Sequence, residues 1–192
     1  MTCARPTKLA PAWRPGRAHV LAHLDAQRRV VVADTDTAHV LWRGPFRAGA
    51  RKLAWSADGR RLLVLARWEV TVLDGASGRV VQRVRSPSLD ANAALVPDRR
   101  GHRFTFLRRR GAHAEIVRVD GTRVRRVFAA DDVAGIARSP DGHWLLVDWR
   151  QADAWLFLPL GDSRVRAREI AHISQTFAHG QPILAGWSAA PR

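Results

Sequence analysis

A unit of about 40 residues recurs along this 192-residue chain, and a repeat of that length restricts the fold more than any other feature of the sequence. The clearest copy is Trp-Ser-Ala-Asp-Gly at 55–59, which returns as Arg-Ser-Pro-Asp-Gly at 138–142. Looser copies lie at 11–16 and 94–101. An apolar run follows each copy, so the four units begin in the same way.

The second half of each unit repeats as well. Val30–Asp34 and Val70–Asp74 are β-branched runs that both end in aspartate and lead through a polar turn into another apolar run. The Asp-Gly pairs at 58–59 and 141–142 predict tight turns, because these residues tolerate positive φ. No long stretch has the 3.6-residue period of an amphipathic helix. Each unit therefore predicts four short antiparallel strands.

Four strands in about 40 residues is the spacing of a β-propeller blade. A single sheet of this kind cannot bury both faces, and stacked blades bury them against each other. The Trp, Val and Leu positions are therefore interpreted as an inter-blade core rather than a carbohydrate- or base-stacking platform. The predicted fold class is an all-β propeller of about four and a half four-stranded antiparallel blades, open or incomplete. The predicted single domain spans 1–192, with blades at 8–44, 50–86, 92–128 and 133–170 and a half blade at 175–188.

The half blade raises the question of how the ring closes. The first predicted blade begins at about Lys8, and the seven residues before it are too few for the two strands that would complete the last blade. The sequence predicts missing N-terminal blades, an open arc, or closure by another chain. An open arc has unpaired strand edges, which favour aggregation.

The segments 55–62 and 139–146 resemble the repeat of TolB-type β-propellers, the WD40-like group, which reads Pro-x-Trp-Ser-Pro-Asp-Gly. Residues 11–16 depart from it, since Arg14 replaces the Ser and the Asp is missing. The stretch 13–149 also resembles the C-terminal part of membrane-anchored propeller proteins of actinobacteria. The resemblance implies a binding platform or a partner domain of a peptidase, and an extracytoplasmic location in longer relatives.

The chain is strongly basic, with 32 Lys and Arg against 17 Asp and Glu and a formal net charge of +15. This excess favours a polyanionic partner such as nucleic acid. The other interpretation is the composition of a GC-rich genome, because Lys8 and Lys52 are the only lysines and the remaining positive charge is arginine.

Motifs of catalysis and cofactor binding are missing from the sequence. There is no Cys-x-x-Cys, His-Glu-x-x-His, Gly-x-Ser-x-Gly, phosphate-loop or dinucleotide-binding pattern. The single cysteine, Cys3, allows no intrachain disulfide. No apolar run has the length of a membrane span and no export signal is evident, which leaves the compartment open. The sequence predicts no enzymatic activity, no metal and no cofactor.

The candidate binding residues come from the predicted loops. In propellers, the loops between consecutive blades and between the second and third strands gather on one face; here they include 108–114 and 129–133. Further loops of this face are predicted at 67–69 and 150–153. The candidate binding residues on these loops are Arg67, Arg108, Arg109, Arg110 and Arg150. The cluster 108–110 is either a docking point for an acidic partner, since Arg binds carboxylates and phosphates bidentately, or a solvated hairpin loop.

Two functions follow from these observations. The first is a non-enzymatic scaffold for protein–protein interaction with an unknown partner. The alternative is a basic propeller that binds a polyanion such as nucleic acid. An accessory propeller of a hydrolase is a third candidate.

Overall fold

The computed structural model of the chain describes residues 10–44, 50–66, 68–85, 94–161, 166–177, 182 and 184. These residues form four antiparallel sheets of four strands each, and consecutive strands are neighbours in every sheet. Blade 1 contains β1 Ala12–Trp13, β2 Val20–Leu24, β3 Val30–Asp34 and β4 Val40–Arg43; blade 2 contains β5 Lys52–Trp55, β6 Arg61–Leu65, β7 Glu69–Asp74 and β8 Val80–Arg85. Blade 3 contains β9 Leu95–Pro97, β10 Arg103–Arg110, β11 His113–Asp120 and β12 Arg123–Asp131; blade 4 contains β13 Val133–Arg138, β14 Trp144–Trp149, β15 Ala154–Pro159 and β16 Arg168–Ala171.

The prediction of an all-β chain built from four-stranded antiparallel blades is confirmed. The strands group into two compact units, residues 1–86 with blades 1 and 2 and residues 87–192 with blades 3 and 4. The single domain over 1–192 and the predicted blade limits stay predictions. No helix within the described ranges is long and apolar enough to cross a membrane.

The Asp-Gly motif forms the turn between the first and second strands of a blade. In blade 2, Ser56 Oγ donates to Asp58 Oδ1 over 2.7 Å, and that oxygen also accepts the Arg60 N–H over 3.0 Å. Gly59 adopts φ of 66°, a conformation that glycine tolerates best. Blade 4 repeats this arrangement with Asp141 and with Gly142 at φ of 78°. The predicted tight turns are confirmed, and their side-chain hydrogen bonds explain why the motif recurs.

Blades 1 and 2 share a buried core. Trp55 Nε1 donates to the Ala12 carbonyl of blade 1 over 3.0 Å, and Trp42 Nε1 donates to the Gly75 carbonyl of blade 2 over 3.1 Å. Around these indoles pack the apolar residues Val20, Ala22, Val30, Val32, Leu53, Leu62, Val64 and Leu73. A Cβ on Gly78 would lie 2.6 Å from Trp42 Cε3, so only glycine lets this ring pack closely. The interpretation of an inter-blade core is confirmed here.

A second core lies between blades 3 and 4. It contains Ala94, Leu107, Ala114, Ile116, Val133, Ile136, Leu145, Val147, Leu158 and Leu160. Phe128 of blade 3 meets Trp149 of blade 4 edge to face, with ring centroids 5.4 Å apart. Each blade therefore buries one face against its neighbour in the same unit.

Two predicted loops are wrong in length. The strand β10 continues through Arg110, so the loop predicted at 108–114 is a two-residue turn, Gly111-Ala112. The loop predicted at 129–133 is one residue, Asp132, because β12 extends to Asp131 and β13 begins at Val133. A run of arginines suggests a solvated loop, but cross-strand pairing with β11 holds it in the sheet.

The predicted half blade, 175–188, begins at a point where the structure describes no strand. A short helix, Ile173–Thr176, overlaps its first residues. Asp153 holds this turn by accepting the Ser174 N–H over 2.8 Å and the Ser174 hydroxyl over 2.7 Å. Apart from residues 182 and 184, the chain after Phe177 lies outside the described residues, so the half blade stays a prediction.

Candidate binding site

The predicted cluster at the end of β10 is largely engaged in internal contacts. Arg108 is ion-paired with Glu115 on the neighbouring strand, and Arg126 approaches the same carboxylate at 3.5 Å. Arg109 donates to the Val133 carbonyl of blade 4. Arg110 is exposed at the turn. The structure thus assigns Arg108 and Arg109 a role in packing the sheets.

The remaining predicted residues do not join this cluster into one site. Arg150 Nε lies 4.0 Å from Asp148 Oδ2, a carboxylate whose pKa is raised by burial. Arg67 lies outside the described residues. The docking role of these five arginines stays a prediction.

A different set of arginines converges at the opposite end of blade 3. Arg103 opens β10, Arg118 is on β11, and Arg123 and Arg125 begin β12. The register places Asp120 opposite both Arg103 and Arg123, and Arg118 opposite Arg125. Residues that face each other across antiparallel strands project from the same side of the sheet, so all four guanidinium groups share one face.

We call this set the arginine cleft: Arg103, Arg118, Asp120, Arg123 and Arg125 line a cavity of about 190 Å³. Arg103 Nε lies 3.0 Å from Asp120 Oδ2, and both side chains are about half exposed. Neither Arg123 nor Arg125 has an ion-pair partner among the described residues. Four positive charges thus surround one carboxylate, and Arg118 faces the like charge of Arg125, which is unfavourable without an anion.

A second cavity, of about 240 Å³, adjoins the cleft between the sheets of blades 3 and 4. Arg118 reaches across it and donates to the Leu160 carbonyl. Arg138 crosses in the other direction, donating to the Pro97 carbonyl over 3.2 Å and to the Gly142 carbonyl over 2.9 Å. These bonds hold two guanidinium groups in defined positions beside the cleft.

Burial and charge act in opposite directions on Arg138. Burial lowers the pKa of its guanidinium, while Asp98 and Asp141 favour its charged form. Asp98 Oδ1 is buried without a hydrogen-bond partner in the structure. The 240 Å³ cavity therefore contains both signs of charge, whereas the arginine cleft has a clear positive excess.

Sequence reasoning missed the arginine cleft. Its members lie up to 22 residues apart, and no two of them are adjacent in sequence. A usable signal was the alternating pair Arg123 and Arg125 on a predicted outer strand, with Arg118 just before the preceding turn. The register of β11 against β12 was needed to show that these side chains meet.

Chemically, the cleft can bind carboxylate or phosphate groups, since guanidinium offers both a fixed charge and a fork of N–H donors. Among the described residues no group of three His, Cys, Asp or Glu side chains could hold a metal ion. The arrangement supports anion recognition.

No family model and no curated protein matches the chain. Among solved structures, it is similar to the β-propeller domain of Cps50 (Swd1) from Myceliophteria thermophila, with a TM-score of 0.61, 21% identity and coverage of 82% of this chain and 54% of that one. It is also similar to hydrazine synthase from Kuenenia stuttgartiensis, with a TM-score of 0.58, 19% identity and coverage of 84% and 48%. The chain spans about half the length of each. The likeness shows the β-propeller fold; the TolB-like and actinobacterial assignments stay predictions.

Proposed function

We propose that this chain is a non-enzymatic β-propeller module that binds an acidic segment of a partner protein in the arginine cleft. The observation that carries the proposal is that four arginines and a single carboxylate line one cavity on a single face of blade 3. The TolB-like resemblance supports the same proposal, because such propellers serve as binding platforms.

The cleft is partly organised before any ligand arrives. The Leu160 carbonyl holds Arg118, and Asp120 holds Arg103. Ordered guanidinium groups lose less conformational entropy when an anion binds. Arg123 and Arg125 are exposed on the outer strand and would provide new contacts to Asp or Glu side chains of the partner.

The second candidate is a polyanion-binding propeller. The net charge of +15 favours it, as do exposed arginines outside the cleft such as Arg83 and Arg85. A nucleic acid would contact many of these charges at once. Its affinity would then fall by roughly a thousandfold between about 50 and 200 mM salt, whereas a short acidic peptide in one cleft would show a shallower dependence.

The test compares two double variants with the same charge change and the same spacing on an outer strand. R123A/R125A removes the exposed half of the cleft, and R83A/R85A changes β8 of blade 2. Each is titrated into a fluorescent peptide of about ten alternating Glu and Ser residues and into a duplex of about 20 base pairs. We expect R123A/R125A to weaken peptide binding at least tenfold, because each of its two substitutions removes a charge-assisted contact. The peptide affinity of R83A/R85A should stay within about twofold of that of the unchanged chain.

Equal losses of peptide affinity in the two double variants would contradict a defined site and indicate that the peptide binds through general charge attraction. Tight duplex binding with a steep salt dependence, together with no peptide binding, would support the polyanion candidate. An accessory role beside a hydrolase would require a catalytic partner domain and stays a separate hypothesis.

A further inference from the structure

One turn position of the repeat differs in blade 3. Ser56, Asp98 and Ser139 each directly follow the first strand of their blade, and the N–H of each donates to the carbonyl five residues later. The three residues therefore occupy the same place in blades 2, 3 and 4. Blade 3 has a carboxylate at the position where the other two blades have a hydroxyl.

The two serines are satisfied within their own turns, whereas Asp98 is not. Ser56 Oγ donates to Asp58 Oδ1 over 2.7 Å, and Ser139 makes the equivalent bond in blade 4. The turn of blade 3 has Arg100 in place of that aspartate, and Asp98 Oδ1 is buried with no hydrogen-bond partner among the described residues. A buried carboxylate oxygen without a donor is unfavourable. The unmet acceptor therefore indicates that a donor from a ligand completes this position.

Asp98 lies beside the arginine cleft. It stands opposite Arg103 at the end of the β9–β10 pairing, and its N–H donates to the Arg103 carbonyl over 2.8 Å. Asp98, Arg103, Arg118 and Arg138 line the cavity of about 240 Å³, and two of these residues, Arg103 and Arg118, also line the cleft. One extended ligand can therefore occupy the cleft and the cavity together.

The charges around the cavity favour a neutral donor over a cation. Besides His143, its titratable lining residues are three arginines and two aspartates, and these five charges leave one positive charge in excess. A ligand ammonium group would add to that excess, whereas a hydroxyl donates without charge and also accepts from a guanidinium. The terminal torsion of an aspartate is soft, so the half-buried Asp98 carboxylate can rotate to turn its unpartnered oxygen towards the cavity. The hydroxyl of Ser or Thr therefore fits this position best.

We propose that Asp98 accepts the hydroxyl of a Ser or Thr in the acidic segment that binds the arginine cleft, so the partner segment carries hydroxyl residues among its Asp and Glu. This rests on the proposed function and names a further feature of the same partner. Asp98 follows β9, whereas Arg123 and Arg125 lie on β12, three strand spacings or about 14 Å away. An extended segment covers this distance in about four or five residues, at roughly 3.3 Å each. One short segment can therefore contact the outer arginines and Asp98.

The test is a double-mutant cycle between the peptide and Asp98. The peptide of alternating Glu and Ser is compared with one of the same length that alternates Glu and Ala, which keeps every charge and lacks the hydroxyls. Each is titrated into the unchanged chain and into D98A by fluorescence anisotropy. Removal of the Asp98 charge strengthens the binding of both acidic peptides alike, so the ratio of the two affinities isolates the hydroxyl contact.

We expect the unchanged chain to bind the Glu-Ser peptide at least about fivefold more tightly than the Glu-Ala peptide, and D98A to prefer it by less than about twofold. The matched control is D131A, which removes a half-exposed aspartate at the far end of β12 and should keep the full preference. D98N keeps the shape of the side chain and replaces the charged acceptor with a neutral amide, so it should show an intermediate preference. Binding of the Glu-Ala peptide by D98A shows that the variant is folded.

The outcomes separate this proposal from the proposed function. Equal affinities of the two peptides for the unchanged chain would overturn the hydroxyl contact and leave the cleft intact as a binding site. A full preference that persists in both D98A and D98N would overturn the role of Asp98. Failure of the unchanged chain to bind either peptide would contradict the proposed function and this proposal with it.

Discussion

Blade 3 carries arginines at both ends of β10, and the two ends differ in how their charge is satisfied. At the hairpin end, Arg108 is ion-paired with Glu115 and Arg109 donates to a carbonyl of blade 4. At the other end, about 23 Å away along the strand, Arg103 is ion-paired with Asp120 in a cleft that three further arginines line. The comparison teaches that consecutive arginines, such as those at 108–110, can stabilise the sheets. Arginines that are dispersed in the sequence form the cleft with excess positive charge.

The largest effect on stability is expected at the boundary of the cleft, from R138A. The Arg138 guanidinium donates to the Pro97 and Gly142 carbonyls, and its removal leaves these two acceptors without that partner. We expect a loss of about 2 kcal/mol in the free energy of unfolding, measured by urea denaturation. A loss below about 0.5 kcal/mol would contradict the structural role assigned to Arg138, because it would mean that water replaces both bonds.

A smaller loss is expected at the hairpin end from E115A. Without the carboxylate, the half-buried Arg108 loses its ion-pair partner and Arg126 loses a neighbouring opposite charge. The pair is partly exposed, so we expect about 1 kcal/mol in the same urea experiment. Peptide binding at the cleft should not change, and weaker binding in E115A would break the separation between the two ends.

The contribution of Glu115 should also depend on pH. Burial acts to raise the pKa of its carboxyl, but the hydrogen bond and charge of Arg108 outweigh it and hold the pKa below its usual range. A lowered pKa in the folded state gives stability above the unfolded pKa, and this stability is lost as pH falls through the folded pKa. Between pH 7 and about 3, the unchanged chain should therefore lose more unfolding free energy than E115Q. Parallel curves for the two proteins would contradict the pairing.

The smallest effect on stability is expected from R123A/R125A. These side chains are exposed and bring like charge close to Arg118, so their removal should change the free energy of unfolding by less than about 0.5 kcal/mol. The same variant should lose peptide binding, which is the reverse of the pattern expected for E115A. A destabilisation above about 1 kcal/mol would show that the cleft arginines are structural as well.

Much of the fold could be predicted because its signals are local. The Ser-x-Asp-Gly motif forms its own hydrogen bonds within five residues, so its recurrence located the turns of blades 2 and 4. Trp42 and Trp55 were assigned to the core by the same repeat, and both are buried. The repeat also predicted Trp13 as core, yet its indole is exposed, since burial requires a neighbouring sheet as well as a suitable residue.

The candidate site could not be predicted in the same way. The run 108–110 is conspicuous in sequence, but Glu115, which pairs with Arg108, becomes its neighbour only through the register of β10 and β11. Arg118 and Arg125 become neighbours only through the register of β11 and β12. The charge of each arginine is visible in sequence, whereas its ion-pair partners are not.

The sequence by itself determined the all-β class, the four-strand unit and its turns, because strand alternation and turn chemistry depend on residues close together in the chain. Only the tertiary structure decided which arginines are paired and which line a cleft, and which indoles are buried. Those outcomes depend on strand register and on contacts between neighbouring sheets, and the latter join residues 24 to 43 positions apart along the chain.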